Sequence, residues 1–370
     1  MNYKSVFSSE KNIALAVKEI KQKASDITNP KLVVYFASAN YSHDEISKAM
    51  GDAFPGVHTV GCSSAGEMTD KGMISESIVA MIFGKSSLKS LQIEVLQNIS
   101  TDKTTVKKAF ASFEKNTGVP MSKLSPDHFV GFMMIDGMSY CEEEINDHIG
   151  NLTNVPFVGG SAADMFAFAE TFVYANGKAY TDAAVLVLME PTNGFGILKT
   201  QSLDVLNKET TVTKISTEDQ RQVIEFDNRP AAEVYAEMIG VTLENLPNAI
   251  FGHPMGLVFD KDNFFVRSPI RINDDKTVNF NCSIKEGMSL SPLEARDIVV
   301  QTRKDVEKIK SEYSAVIDFN CGFRVIELRM KKQEQDYVDI FKGLTTIGIA
   351  SFGESYIGHM GQTSTMLLLK

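Results

Sequence analysis

Short apolar runs alternate with amphipathic stretches along most of the chain. Helical spacing over 11–25, with Ile13, Ala16, Val17 and Ile20 on one face, leads into an apolar run at 32–37. Ser42 with Glu45 three residues later has capping-box spacing and predicts a helix that stops at Phe54-Pro55-Gly56. Strands are predicted at 57–62, and as a pair at 77–84 and 90–96, with a helix at 104–114. The pattern then repeats: a strand at 129–135, a helix at 142–149 with acids in its first turn, and strands at 182–189 and 194–201. A hairpin is expected around Asn176-Gly177, a strong turn signal. Beyond a polar stretch at 202–230 come a helix at 231–239, a short one near 242–246, and strands at 249–259, 264–272 and 278–282. A long helix at 292–309 and strands at 315–319 and 363–369 complete the prediction.

One phrase punctuates this pattern three times. It reads Val60-Gly61-Cys62-Ser63-Ser64-Ala65-Gly66-Glu67, then Val158-Gly159-Gly160-Ser161-Ala162-Ala163-Asp164, then Ile347-Gly348-Ile349-Ala350-Ser351-Phe352-Gly353-Glu354. Each copy leaves an apolar strand through small residues and closes on an acid, with one apolar run before it and another after. Three related strand–helix–strand–turn–strand units imply an α/β protein, with mixed β-sheets flanked by helices and arranged around a shared interior. A boundary is expected in the polar stretch before Asn228-Arg229-Pro230. It divides 1–227, holding two units, from 228–370, holding the third. The last strand ends with the chain, so a stand-alone form with no output domain is expected.

Composition narrows the function. Net charge is −10, from 47 acids against 37 bases, and the densest basic stretch, Arg329-Met330-Lys331-Lys332, is followed at once by Glu334 and Asp336. A nucleic-acid surface needs concentrated positive charge, which is absent. No apolar run reaches the ~20 residues of a membrane span, and the N-terminus lacks the core of a signal peptide. Cys62, Cys141, Cys282 and Cys321 are far apart, with no C-x-x-C pair, so neither a zinc site nor a disulfide framework is indicated. A reduced, cytoplasmic protein is expected. The 17 Met and absence of Trp read as core filling, and also suit an adaptable pocket.

The candidate chemistry lies in the three turns. Cys62 or Ser63 would serve as a nucleophile only with a base, and His58 stands on the same strand face as Cys62. A phosphate cradle would need the P-loop lysine, which the first turn lacks. As a pocket wall, small residues admit a ligand to backbone N–H groups, with Ser63, Ser64, Gly66 and Glu67 positioned to orient it; the alternative is a tight turn. Gly159, Gly160, Ser161 and Asp164 pose the same choice between a ligand and a closely packed strand. His253, held extended by Pro254, and His359, in Gly358-His359-Met360-Gly361, are candidate haem or metal ligands, or turn residues. Arg267, alternating with Val266, is a candidate carboxylate clamp or a surface residue.

With these residues in view, the chain resembles the FIST family. The likeness rests on the first two phrases, on Tyr174-Ala175-Asn176-Gly177 and Asp182-Ala183-Ala184-Val185, and on Ala232-Glu233-Val234-Tyr235, His253-Pro254-Met255-Gly256, Val266-Arg267 and Gly353-Glu354, in family order from about residue 30 onwards. The resemblance implies a non-enzymatic bacterial or archaeal sensor that binds a small molecule such as an amino acid. Its partner would be a separate signalling protein, such as a histidine kinase of a two-component system or a diguanylate cyclase. Some stand-alone members resemble haem-based nitric oxide sensors. On this reading the ligand site comprises Cys62, Ser63, Ser64, Gly66, Glu67, Gly159, Gly160, Ser161, Asp164, Arg267, Gly353 and Glu354, with no cofactor. The alternatives are haem on His253 or His359, or a hydrolase or transferase using Cys62 or Ser63.

Overall fold

Strands buried on both faces must read as unbroken apolar runs, and three such pairs build the molecule. The computed structural model describes residues 2–260 and 263–370. Leu32–Ser38 lies parallel to His58–Ser64 across the helix His43–Ala53; Val130–Ile135 lies parallel to Phe157–Ser161 across Glu142–Leu152; and Ala315–Cys321 lies parallel to Thr345–Ser351 across Gly322–Met330. Each pair centres a six-stranded mixed sheet.

The three sheets are completed by exchange. On one side of each pair runs the strand that ends its own unit: Ile78–Phe83, Ala183–Pro191 or Thr363–Leu369. Outside it lies a strand from before the unit: Tyr3–Ser8, Leu88–Gln97 or Phe195–Gln201. On the other side sits a hairpin borrowed from another unit. The first sheet takes Val173–Ala175 with Lys178–Tyr180, the second takes Glu354–Tyr356 with His359–Met360, and the third takes Glu67–Thr69 with Gly72–Ile74. Strand order therefore corresponds position by position in all three sheets.

The inward faces meet in one apolar core, with Val34, Phe36 and Cys62 from the first sheet, Phe132, Met134 and Val158 from the second, and Ile317, Phe319 and Ile349 from the third. Alternate residues point outward, as the pleat requires: Val33 and Tyr35 pack on the helices of the first sheet, and Met133 and Ile135 on those of the second. Residues 203–295 add a nine-stranded antiparallel sheet, from Leu203–Val205 to Ser289–Ala295, carrying the helix Ala231–Ile239.

Several expectations need correction. Ser42 flanks its helix without a side-chain cap. The strands predicted together at 77–84 and 90–96 form at Ile78–Phe83 and Leu88–Gln97 but enter different sheets. The helix predicted over 292–309 is a strand, Ser289–Ala295, then a helix, Ile298–Glu307, divided where the Asp297 carboxylate accepts the Val300 N–H at 2.8 Å. Within 249–259 only Met255–Val258 is strand, and Leu246–Ala249 is a helical turn. The polar stretch 202–230 supplies four further strands, Leu203–Val205, Thr210–Ile215, Gln222–Phe226 and the short Arg229–Pro230.

Candidate functional site

Glycine in the repeated phrase has a packing cause. A Cβ on Gly61 or Gly159 would stand 2.0 Å from the carbonyl oxygen of Tyr35 or Met133, the residue opposite on the parallel strand. Gly160 is similarly hemmed in by Ser351, Phe319 and Gly353. A Cβ on Gly66 would meet the Arg329 guanidinium at 2.8 Å. Gly353 faces the imidazole of His359, whose Cε1 would lie 2.2 Å from an added Cβ.

The acids of the first and third turns are fully engaged. Both Ser64 Oγ and Ser77 Oγ donate to the Glu67 carboxylate, which also accepts the Ser77 N–H at 3.1 Å. Ser351 Oγ (2.7 Å), Thr363 Oγ1 (2.8 Å) and the Thr363 N–H (3.2 Å) do the same for Glu354. Burial pushes both carboxyls up to about 7 against these hydrogen bonds. They are internal clasps, each tying a strand end to the start of the next strand. Cys62 lies in the central core, where burial pushes its thiol up. Ser63 Oγ accepts the Phe172 N–H at 3.0 Å, and His58 is exposed beside Asn176. The first turn therefore has no assembled nucleophile and base.

The second turn is built differently. Ser161 Oγ donates to Glu142 at 2.9 Å, across to the adjacent helix. Asp164 instead accepts the N–H groups of Phe168 and Ala169 at 3.1 and 2.8 Å, and shapes an outward loop. That loop forms one wall of a cavity of about 430 Å³. The other walls come from the turn 137–142, from Glu218, Asp219 and Arg221 with 279–283 of the nine-stranded sheet, and from 321–323 with Ser351 and Phe352.

The cavity has an aromatic and a charged part. Phe166, Phe168, Phe280, Phe323 and Phe352 supply its rings, with Phe168 and Phe352 stacked at 4.7 Å. Tyr140, Phe168 and Ile270 are about half exposed, so its mouth is open. The Arg221 guanidinium lies over the Tyr140 ring at 4.7 Å and reaches Glu142 at 3.4 Å and Glu143 at 3.2 Å. Burial works against its charge, but Glu142 and Glu143 outweigh that and hold it cationic. The helix Gly322–Met330 starts in the wall with no side-chain cap. Tyr140, Phe166 and Phe168 have φ of 56°, 64° and 52°, and they are the aromatic residues with left-handed φ among those described. Bulky residues seldom hold that conformation without being forced, and such strain gathers at binding sites.

Of the candidate residues, none is in the lining, although Ser161 and Asp164 shape it through Glu142 and the 164–169 loop. Arg267 is buried, donating to the backbone carbonyl of His359 at 3.0 Å, so it is neither a surface residue nor part of the cavity lining. Neither His253 nor His359 lines the cavity. His253 approaches the Ala249 carbonyl at 3.2 Å, while His359 is packed among Gly353, Cys282 and Glu143. The lining was hard to see in advance because it joins phenylalanines and acids from six separated segments, but the helix-opening Cys321-Gly322-Phe323 was a legible signal.

Residues 31–229 match the FIST N domain and residues 231–356 the FIST C domain. The chain is a FIST protein. FIST domains are sensory domains in signal transduction. The chain is also similar to an uncharacterised protein of Methanocaldococcus jannaschii, at 24% identity over an alignment of 300 residues that covers 75% of this chain and 57% of that protein. The alignment thus spans little more than half the length of that curated relative. Among the described residues no helix is long and apolar enough to cross a membrane.

Proposed function

We propose that this FIST protein is a cytoplasmic sensor of a small zwitterionic metabolite, an amino acid or close relative, bound in the cavity between its second turn and its nine-stranded sheet. The observation that carries the reading is the cavity itself. Its volume of about 430 Å³ suits a small metabolite. Its aromatic rings suit an apolar side chain, Glu218 and Asp219 suit an ammonium group, and the uncapped start of Gly322–Met330 suits a carboxylate. A ligand there touches three parts of the chain at once, so binding draws the second turn, the nine-stranded sheet and the third unit together. That movement is the signal passed to a separate partner, such as a histidine kinase or a diguanylate cyclase.

A thermal-shift panel of amino acids, amines and carboxylic acids tests this. At least one amino acid should raise Tm by mass action. The rise should vanish in Ile270→Trp, which fills the mouth, and in Glu218→Lys, and persist in Cys62→Ser. A rise that survives both cavity variants would overturn the reading.

A further inference from the structure

The hairpin that the third unit lends to the second sheet brings His359 against the helix Glu142–Leu152 and the chain following Val278–Phe280. We propose that Glu143, Cys282 and His359 form a binding site for one divalent transition-metal ion of zinc type. One donor atom from each residue lies within 4.8 Å of the other two. Donors at zinc's usual bond lengths of about 2.0–2.3 Å stand roughly 3.3–3.8 Å apart in a tetrahedron. Closure around an ion therefore asks for movements on the order of 1 Å. A thiolate, an imidazole and a carboxylate favour zinc or a neighbour in the transition series over magnesium or calcium, which prefer oxygen alone.

A second observation points to an occupant. His359 is only 2% exposed, yet its Nδ1 has no hydrogen-bond partner. Buried polar atoms are rarely left this way without an ion or water to serve them. The donors are also held in place, as metal ligands commonly are. Glu143 accepts the Ser283 N–H at 2.7 Å and Arg221 at 3.2 Å, which leaves lone pairs free for an ion. Gly353 gives the imidazole its room. Three protein donors leave a fourth position open, as in zinc sites that also take an exogenous group. The chain neighbours of two donors, Glu142, Asn281 and Ser283, line the cavity, so the ion would stand in its wall. The site does not depend on which metabolite the cavity takes.

Cobalt(II) titration of the chelator-stripped full chain provides the test. The expected result is one equivalent bound with a thiolate-to-cobalt charge-transfer band, displaced by zinc. Cys282→Ser, checked for native circular dichroism, should abolish the band. Glu143→Gln should weaken zinc binding at least about tenfold, and Cys62→Ser should change nothing. The proposal is overturned if the wild-type chain gives no such band, or if the band survives Cys282→Ser.

Discussion

Glu67 and Glu354 show how a residue type can mislead when its position is unknown. An acid closing a Gly/Ser turn suggests a ligand anchor, yet each carboxyl here is enclosed by hydroxyl and amide donors of its own chain. Their titration gives a sharp prediction. In the unfolded chain these groups ionise near 4.5, and in the folded one near 7. Between those values the folded state keeps protons that the unfolded state has released, so stability falls as pH rises through that window. The loss is on the order of 3 kcal/mol per carboxyl. Urea unfolding at pH 5 and pH 8 should show it, and Glu67→Gln with Glu354→Gln should flatten the difference. An unchanged pH dependence in the double variant would show that these carboxyls are not its source.

At the scale of elements, the first strand of each parallel pair was legible because burial on both faces leaves a continuous apolar signature, while the parallel pairing itself was not. Their glycines were legible as residues but not in purpose. The close carbonyl approach at Gly159 predicts that Gly159→Ala costs about 3 kcal/mol in urea unfolding. Gly348→Ala, where an added Cβ would stand 3.1 Å from the opposing Asp318 carbonyl oxygen and 3.0 Å from the tip of Met68, should cost less. Equal costs would mean that strand approach is not what selects glycine. The exchanged hairpins were not legible, because partner choice between edge strands is set by distant chain. Nor were the strands of 202–230, where half-exposed alternation resembles a polar linker. His359 was legible as a candidate ligand, but Glu143 and Cys282 were not, because spacing rules find metal ligands only when they are neighbours in sequence.

At the scale of the molecule, three like turns have diverged in use. Two are clasped shut by their own hydroxyls, while the second sends its serine to Glu142 and its acid to an aromatic loop, and the cavity lies there. The FIST N and FIST C segments both contribute walls, which is how a ligand could be felt by the whole chain. Hydrogen–deuterium exchange with the stabilising metabolite tests this most directly. The account predicts slowed exchange at 137–142, 164–169, 218–221, 279–283 and 321–323, with 60–67 unchanged. Slowed exchange confined to 60–67 and 158–161, with the cavity segments unaltered, would contradict it.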